Sequence, residues 1–458
     1  MVSSVNNIQQ YNYSTVSNVG AVKVGTPFVN NQGVSHSNIN VLPFNSSQRV
    51  LNKRTVLASN DEKEKYAELS KVLDKNTRKQ LELLLKSGVL LNSDSNDHST
   101  VLDNLYKMAT TPRAVGLSRD GLLKDTITTI AYPFVITQQF GDIPPIYRQK
   151  ALAANTDGET NLLKKFVAAN DIDVEHSGTC VAASIEFNLA EKMPAEFARF
   201  AEGLSSTSMS VKKEIKLRNL ADNALDSIWL LNAFEMPSEI DNFESATLTF
   251  APDKNAIIRA QIQTTNRDPL ERSPLDVLMQ STFMQVGSQQ SYNSLTDKRL
   301  GKFNQNDKGL IEFEKTFTES VVEDKSKLSV TYQTVDENAR LIGYETDFDT
   351  MKKHLLTALD MGENVIIGYT QTDQNNIIIN GHEITIIGYR YNPDGKLVFI
   401  CNDTDDNLTK PVEYNEEYLL PKIHHAALPE SIVADDITVT PNWVEGLNIY
   451  KEMKNKAA

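Results

Sequence analysis

The chain has little of what marks several large classes of protein. Its 458 residues contain two cysteines, Cys180 and Cys401, too few for a disulfide framework, which favours a reducing compartment. No apolar run approaches the roughly 18 to 20 residues that a transmembrane helix needs. The first residues also lack the charged start and apolar core of a Sec signal peptide. These absences predict a soluble cytoplasmic protein with no membrane partner.

Positive charge is also scarce. Lys and Arg number 46 against 60 Asp and Glu, so the formal net charge is −14. Repulsion from phosphate groups argues against a nucleic acid or an anionic membrane as the main partner. We expect no cofactor, and the oligomeric state stays open.

Acidic residues are absent from the first 60 positions. Residues 1–60 are rich in Ser, Asn, Val and Gln, which predicts a disordered leader. In residues 61–170 leucines recur near a 3.6-residue period, which predicts a small helical domain. Residues 171–430 mix helical and strand patterns, and residues 431–458 form a C-terminal extension. The predicted fold class is therefore α+β.

Local signals predict the elements of the 171–430 segment. Ser273 and Pro274 predict the capped start of a helix, and Thr346 predicts the start of another that ends at Gly362. Three apolar runs predict strands at residues 364–369, 383–391 and 396–401. An Asn-Pro-Asp-Gly sequence predicts a turn that joins the last two strands into a hairpin.

Cys180 lies where a polar stretch, broken by Gly178, gives way to a helical pattern. A sulfur at a helix N-terminus lies beside unpaired backbone N–H groups and the positive end of the helix dipole, which favour a thiolate. The same N–H groups can stabilise a developing oxyanion. Cys180 is therefore the candidate nucleophile, and a small buried cysteine is the competing interpretation. Cys401, within a predicted strand, is expected to face the core.

His382 follows Gly381 at the head of an apolar strand, where an imidazole can reach an active-site gap. A Cys and a His together supply a nucleophile and a general acid and base. The pair needs a third polar group to fix the orientation of the ring.

The return strand of the hairpin offers candidates for that third group. If the first and last residues of the turn pair, His382 faces Asp405, and Asp403 lies on the same side. Asn402 is one residue out of phase. A single β-bulge, which is common beside active sites, would bring it into line.

The order of these motifs resembles the papain-like cysteine peptidase superfamily. The segments are GTCVAASIEFNLA, a helix (FDTMKKHLLTALDMG), a strand (ENVIIGYT), GHEITIIGY and a return strand ending ICND. They are most similar to bacterial peptidases that process bacteriocin leaders. The resemblance implies a papain-like domain in which a helical part carries the Cys and an antiparallel sheet carries the His. It implies Cys180 as nucleophile, His382 as base and Asn402 as the orienting residue, with Asp403 as its substitute.

The resemblance also implies a hydrolase that cleaves peptide or isopeptide bonds of a polypeptide substrate. Such families usually place a Gln several residues before the Cys, to complete the oxyanion hole, and no Gln lies near Cys180. Three more distant residues could serve only if the chain folds back: Gln138, Gln139 and Gln149. Three nearer side chains are alternative donors: His176, Ser177 and Thr179. Two alternatives stay open, which are acyl transfer of the transglutaminase or amidase type on the same fold, and a catalytically inactive binding scaffold.

A second group of polar residues raises the question of a metal site. His424 and His425 lie close in sequence to Glu413, Glu416 and Glu417. Adjacent residues of a strand point to opposite faces, so the two imidazoles cannot chelate one ion together. The sequence therefore predicts a solvated segment and no metal.

Overall fold

A computed structural model of the chain describes residues 54–138, 178–265, 272–295, 297–299, 309–405 and 410–433. These residues form a mixed α+β structure with antiparallel sheets. The predicted leader (1–60) and C-terminal extension (431–458) lie largely outside the described ranges. None of the described helices has the length and apolarity needed to cross a membrane.

The helices precede, separate and follow the strands along the chain. They are α1 (Asn60–Val72), α2 (Lys75–Lys86), α3 (Val101–Thr110), α4 (Arg119–Ala131), α5 (Cys180–Lys192), α6 (Pro194–Ser205), α7 (Ala224–Ala233), α8 (Ala256–Thr265), α9 (Pro274–Gly287), α10 (Glu312–Glu323), α11 (Phe348–Asp360), α12 (Glu416–Leu419) and α13 (Glu430–Val433). The strands are β1 (Val211–Lys216), β2 (Ser238–Ile240), β3 (Ser245–Phe250), β4 (Tyr292–Asn293), β5 (Lys298–Arg299), β6 (Lys327–Thr331), β7 (Gln333–Val335), β8 (Leu341–Tyr344), β9 (Val365–Thr372), β10 (Ile378–Tyr391), β11 (Leu397–Asn402), β12 (Val412–Asn415) and β13 (Ile423–Pro429).

The largest sheet in the described ranges has six antiparallel strands in the order β12-β11-β10-β9-β13-β6. Strands β9, β10 and β11 are neighbours in sequence and in space, whereas β13 returns from later in the chain to lie between β9 and β6. The three strands predicted from apolar runs are confirmed as parts of β9, β10 and β11.

Side-chain caps set the starts of two helices in the second half of the chain. Ser273 Oγ accepts from the Asp276 N–H at 3.1 Å, and the Asp276 carboxylate accepts from the Ser273 N–H at 2.8 Å. This capping box confirms the predicted start of α9. Helix α11 is capped by Asp347, which accepts from the Thr350 N–H at 2.8 Å, rather than by Thr346 as predicted.

One hydrophobic core joins the first four helices to α5 and α9. Leu81 of α2 belongs to the same buried cluster as Phe187 of α5 and Phe283 of α9. The described part of the predicted domain at 61–170 is helical, but it does not pack around a core of its own. Helices α1–α4 instead share one hydrophobic core with α5, the helix that begins at Cys180.

A second core lies on the other face of the six-stranded sheet. Val365 and Ile367 of β9 pack with Met351 and Leu355 of α11. Ile366, between them in sequence, belongs to the first core. This alternation is the two-residue period of a strand buried on both faces. The sheet therefore carries side chains into both cores.

Candidate active site

Cys180 is the first residue of α5, at the helix start that the sequence predicts, and its side chain is partly exposed. Residues 181–191 of the same helix are all buried. Thr179 is the N-cap residue and makes no side-chain hydrogen bond to the helix. The thiol therefore lies at the positive end of a buried helix, beside N–H groups that can stabilise negative charge.

Two contacts hold the residues that precede Cys180. The N–H of Gly178 donates to the carboxylate of Asp297. The hydroxyl of Thr179 donates to Oε1 of Gln280 at 2.8 Å, and Gln280 is fully buried in α9. Because both neighbours are tied to other elements, the backbone from which the thiol projects is fixed.

His382 lies in β10, where it pairs with Tyr369 of β9. Its Nε2 lies 2.7 Å from Oδ1 of Asp403, and the same oxygen accepts from the Asp405 N–H at 3.0 Å. The side chains of His382 and Asp403 are only 15% and 14% exposed, so little water competes for their contact. Asp403 thus fixes the orientation of the imidazole ring.

The surroundings of His382 favour a charged ring. Burial alone opposes the charge, but the carboxylate of Asp403 and a hydrogen-bond contact with the side chain of Cys180 raise the pKa of His382 well above its usual value. Since Asp403 occupies Nε2, Nδ1 is the ring nitrogen left for the sulfur. The structure therefore brings Cys180, His382 and Asp403 together.

A β-bulge decides which residue of the return strand lies on the side of His382. The hairpin closes with Tyr391 opposite Leu397, one residue away from the predicted register. A bulge in β10 between Ile386 and Gly388 then shifts the register back. Without the bulge, position 402 would share the face of the imidazole. With it, position 403 does.

Asn402, predicted to orient the ring, does not contact it. It pairs with Thr385, on the face of the sheet opposite His382. Its side chain is buried, and its Nδ2 has no hydrogen-bond partner among the described residues. Asp403, the predicted substitute, contacts the imidazole instead.

The chain folds back so that the backbone of Gln138 lies beside Thr404, directly after Asp403. The N–H of Gln138 donates to the carbonyl of Thr404 at 3.0 Å, and the hydroxyl of Thr137 donates to the same carbonyl at 3.0 Å. The carbonyl of Thr137 accepts from Nε2 of Gln280 at 2.9 Å, the residue that also holds Thr179. Gln138 is thus anchored between the end of β11 and the start of α5. Four other candidates lie outside the described residues: Gln139, Gln149, His176 and Ser177.

The sequence did not point to Gln280, whose side chain hydrogen-bonds to Thr137, Thr179 and α5 and so connects the parts of the site. Its Nε2 also donates to the carboxyl group of Glu186 in α5 at 3.0 Å. Burial, with the charge of nearby Asp276, raises the pKa of Glu186 well above its usual value. A Gln among the apolar residues of α9 was the only signal in the sequence.

The two adjacent histidines are not solvated, which corrects a second expectation. His424 and His425 are buried, and their Nδ1 atoms lie 2.8 Å apart. The register of β13 against β9 shifts between Ile423 and His425. This shift interrupts the strict alternation on which the predicted opposite orientation depended. The carboxylate that meets the two rings is that of Glu312, the first residue of α10.

Cys180 should react with iodoacetamide at least about tenfold faster than Cys401 near neutral pH, because reactivity requires an accessible thiolate. Cys401 is fully buried, and its burial, with the charge of Asp403, raises the pKa of its thiol well above the usual value. Pulse labelling followed by peptide mass spectrometry measures both rates. Labelling in urea is the control, since both thiols are then accessible. Equal rates in the native protein would contradict the assignment.

No protein-family model, curated protein or solved structure matches this chain.

Proposed function

We propose that the chain is a papain-like cysteine hydrolase that cleaves peptide or isopeptide bonds. The observation that supports this most is the 2.7 Å contact of the His382 ring with Asp403, together with the effect of the Cys180 side chain on the pKa of His382. A nucleophile, a base and a group that orients the base are the set required for nucleophilic acyl transfer. The three residues also occur in the order that the resemblance implies, with the Cys on a helix, the His on a strand and the acid after the return strand.

In the proposed reaction the proton of Cys180 first passes to Nδ1 of His382, and the resulting thiolate attacks the substrate carbonyl carbon. The tetrahedral intermediate collapses when His382 donates that proton to the leaving amine, and a thioester remains on Cys180. Water then attacks the thioester, giving a proton to His382, which returns it to the departing sulfur. The carboxylate of Asp403 stabilises the imidazolium in both steps.

Negative charge on the carbonyl oxygen requires hydrogen-bond donors near the sulfur. The N–H groups at the start of α5 are one source, because Thr179 does not cap them with its side chain. We propose the side-chain amide of Gln138 as the second donor. This assignment rests on the anchoring of its backbone at Thr404, directly after Asp403. A reducing compartment such as the cytoplasm suits this chemistry, because both cysteines are free and Cys180 is accessible.

The direct test is to incubate the full chain with a library of peptides from a digested proteome and to identify new termini by mass spectrometry. The wild type should generate new termini with a shared sequence preference, and Cys180→Ala should generate none. An added primary amine identifies transfer, because it would replace water in the products. Products that carry the amine in preference to water would replace hydrolysis by acyl transfer. No cleavage, together with equal alkylation of the two thiols, would leave a binding scaffold.

Replacing Asp403 by Asn should lower the turnover of a cleaved peptide by about one to two powers of ten, if the losses seen for outer-shell residues of metal sites are a guide. The carboxylate raises the pKa of His382, so its removal lowers that pKa. The step that protonates the leaving group needs the imidazolium, which is lost as pH rises through this pKa. The alkaline limb of the rate profile should therefore move to lower pH.

The neighbouring substitution Asn402→Ala is the matched control for Asp403→Asn. It removes a buried side chain that lies on the other face of the sheet, so the alkaline limb should stay in place. A larger loss in Asn402→Ala, with a shifted limb, would return the orienting role to Asn402.

Replacing Gln138 by Ala should lower peptide cleavage by about 100-fold or more, the cost of losing one donor to an oxyanion. The rate at which iodoacetamide alkylates Cys180 should not change, because that displacement forms no oxyanion. Both rates are measured on the same preparation. A parallel fall in cleavage and alkylation would mean that Gln138 acts on the structure of the site rather than on the intermediate.

A further inference from the structure

A cluster of two buried imidazoles and a partly exposed carboxylate lies between α10 and the six-stranded sheet. Glu312, His424 and His425 each place one nitrogen or oxygen ligand atom within 4.8 Å of the others. His424 and His425 are 5% and 4% exposed. Neither imidazole belongs to the site around Cys180, so their burial needs an explanation of its own.

The backbone provides space for the ring of His425. In the register of β13 against β9, His425 lies opposite Gly368. A Cβ atom at Gly368 would lie 2.3 Å from Cε1 and 2.5 Å from Nδ1 of that ring. Only a glycine at this position lets the imidazole lie over the neighbouring strand and reach His424.

Hydrogen bonds from outside the cluster orient the carboxylate of Glu312. Its Oε1 accepts from the hydroxyl of Ser329 and from the hydroxyl of Thr331, both at 2.7 Å. Both donors lie on β6. Such contacts leave Oε2 for a further partner and resemble the outer-shell hydrogen bonds that hold metal-binding carboxylates.

A second carboxylate completes the surroundings of His425. Oε1 of Glu383 lies 3.2 Å from Nε2 of His425, and Oε2 lies 3.1 Å from Nζ of Lys315. With neutral imidazoles, Glu312, Glu383 and Lys315 leave one net negative charge in a space with little water.

We propose that Glu312, His424 and His425 bind a zinc ion that fastens the start of α10 to β13. Two imidazole nitrogens and a carboxylate oxygen are a donor set that zinc takes in proteins. Bonds of about 2.0 to 2.1 Å imply roughly 3.3 Å between ligand atoms of a tetrahedral site. The two Nδ1 atoms must therefore separate slightly from 2.8 Å, and the Glu312 carboxylate must approach. Glu383 is placed to orient His425 or to take the fourth position.

The test removes metal from the full chain with a chelator, adds zinc back, removes the excess and measures the zinc that stays bound. All proteins carry Cys180→Ala, because a thiol beside His382 could itself bind zinc. The parent protein should retain one zinc per chain by mass spectrometry of the metal. It should also give the intense visible absorption of a tetrahedral ion when Co²⁺ is added. Glu312→Gln should weaken zinc binding by at least about 100-fold and abolish that absorption.

Two further variants keep the result interpretable. Thr331→Val removes one hydrogen bond to Glu312 and should fold, with zinc affinity lowered about tenfold. His354→Gln is the control, because His354 is also buried but lies outside the cluster, with its Nδ1 3.1 Å from the hydroxyl of Tyr332. His354→Gln should bind zinc as the parent does.

Two results would overturn the proposal. They are no stoichiometric zinc in the parent, or equal affinity for zinc in the parent and in Glu312→Gln. Each would mean that the two imidazoles form a hydrogen-bonded pair without a metal. The proposal does not depend on the proposed hydrolase function, since every measurement is made without the thiol.

Discussion

The alternation of side chains along β10 is the constraint on which both polar sites depend. Consecutive residues of a strand point to opposite faces, so His382 meets Asp403 while Glu383, the next residue, meets Lys315 and His425. One strand thereby supplies the imidazole of the proposed active site and a carboxylate of the second cluster. A shift of β10 by one residue would exchange the two side chains and disrupt both sites at once.

The local chemistry of the candidate site was readable from the sequence, whereas its register was not. Cys180 follows a polar break at the start of α5, which is visible in residue types, and His382 follows Gly381 within β10. The choice between Asn402 and Asp403 depended on two shifts of one residue, at the turn and at the bulge, which act in opposite directions. Bulges depend on packing between neighbouring strands and have no dependable signature in a single sequence.

Which elements pack against one another in the fold could likewise not be predicted from the sequence. Periodic segments such as α9 and β9 were recognisable because their patterns are local. The core that α1–α4 share with α5 was not recognisable, because the sequence of an amphipathic helix does not show which partner its apolar face contacts. The same applies to His425, whose buried position depends on a glycine in a distant strand.

The contact between the hydroxyl of Thr137 and the carbonyl of Thr404 spans 267 residues of the chain. A ribosome adds about 5 to 20 residues per second, so roughly 13 to 53 seconds separate the synthesis of the two ends. Cys180 is made within that interval, and it first exists without His382 and Asp403, which come later in the chain. Any hydrolysis that needs all three residues therefore cannot begin before Asp403 has been made.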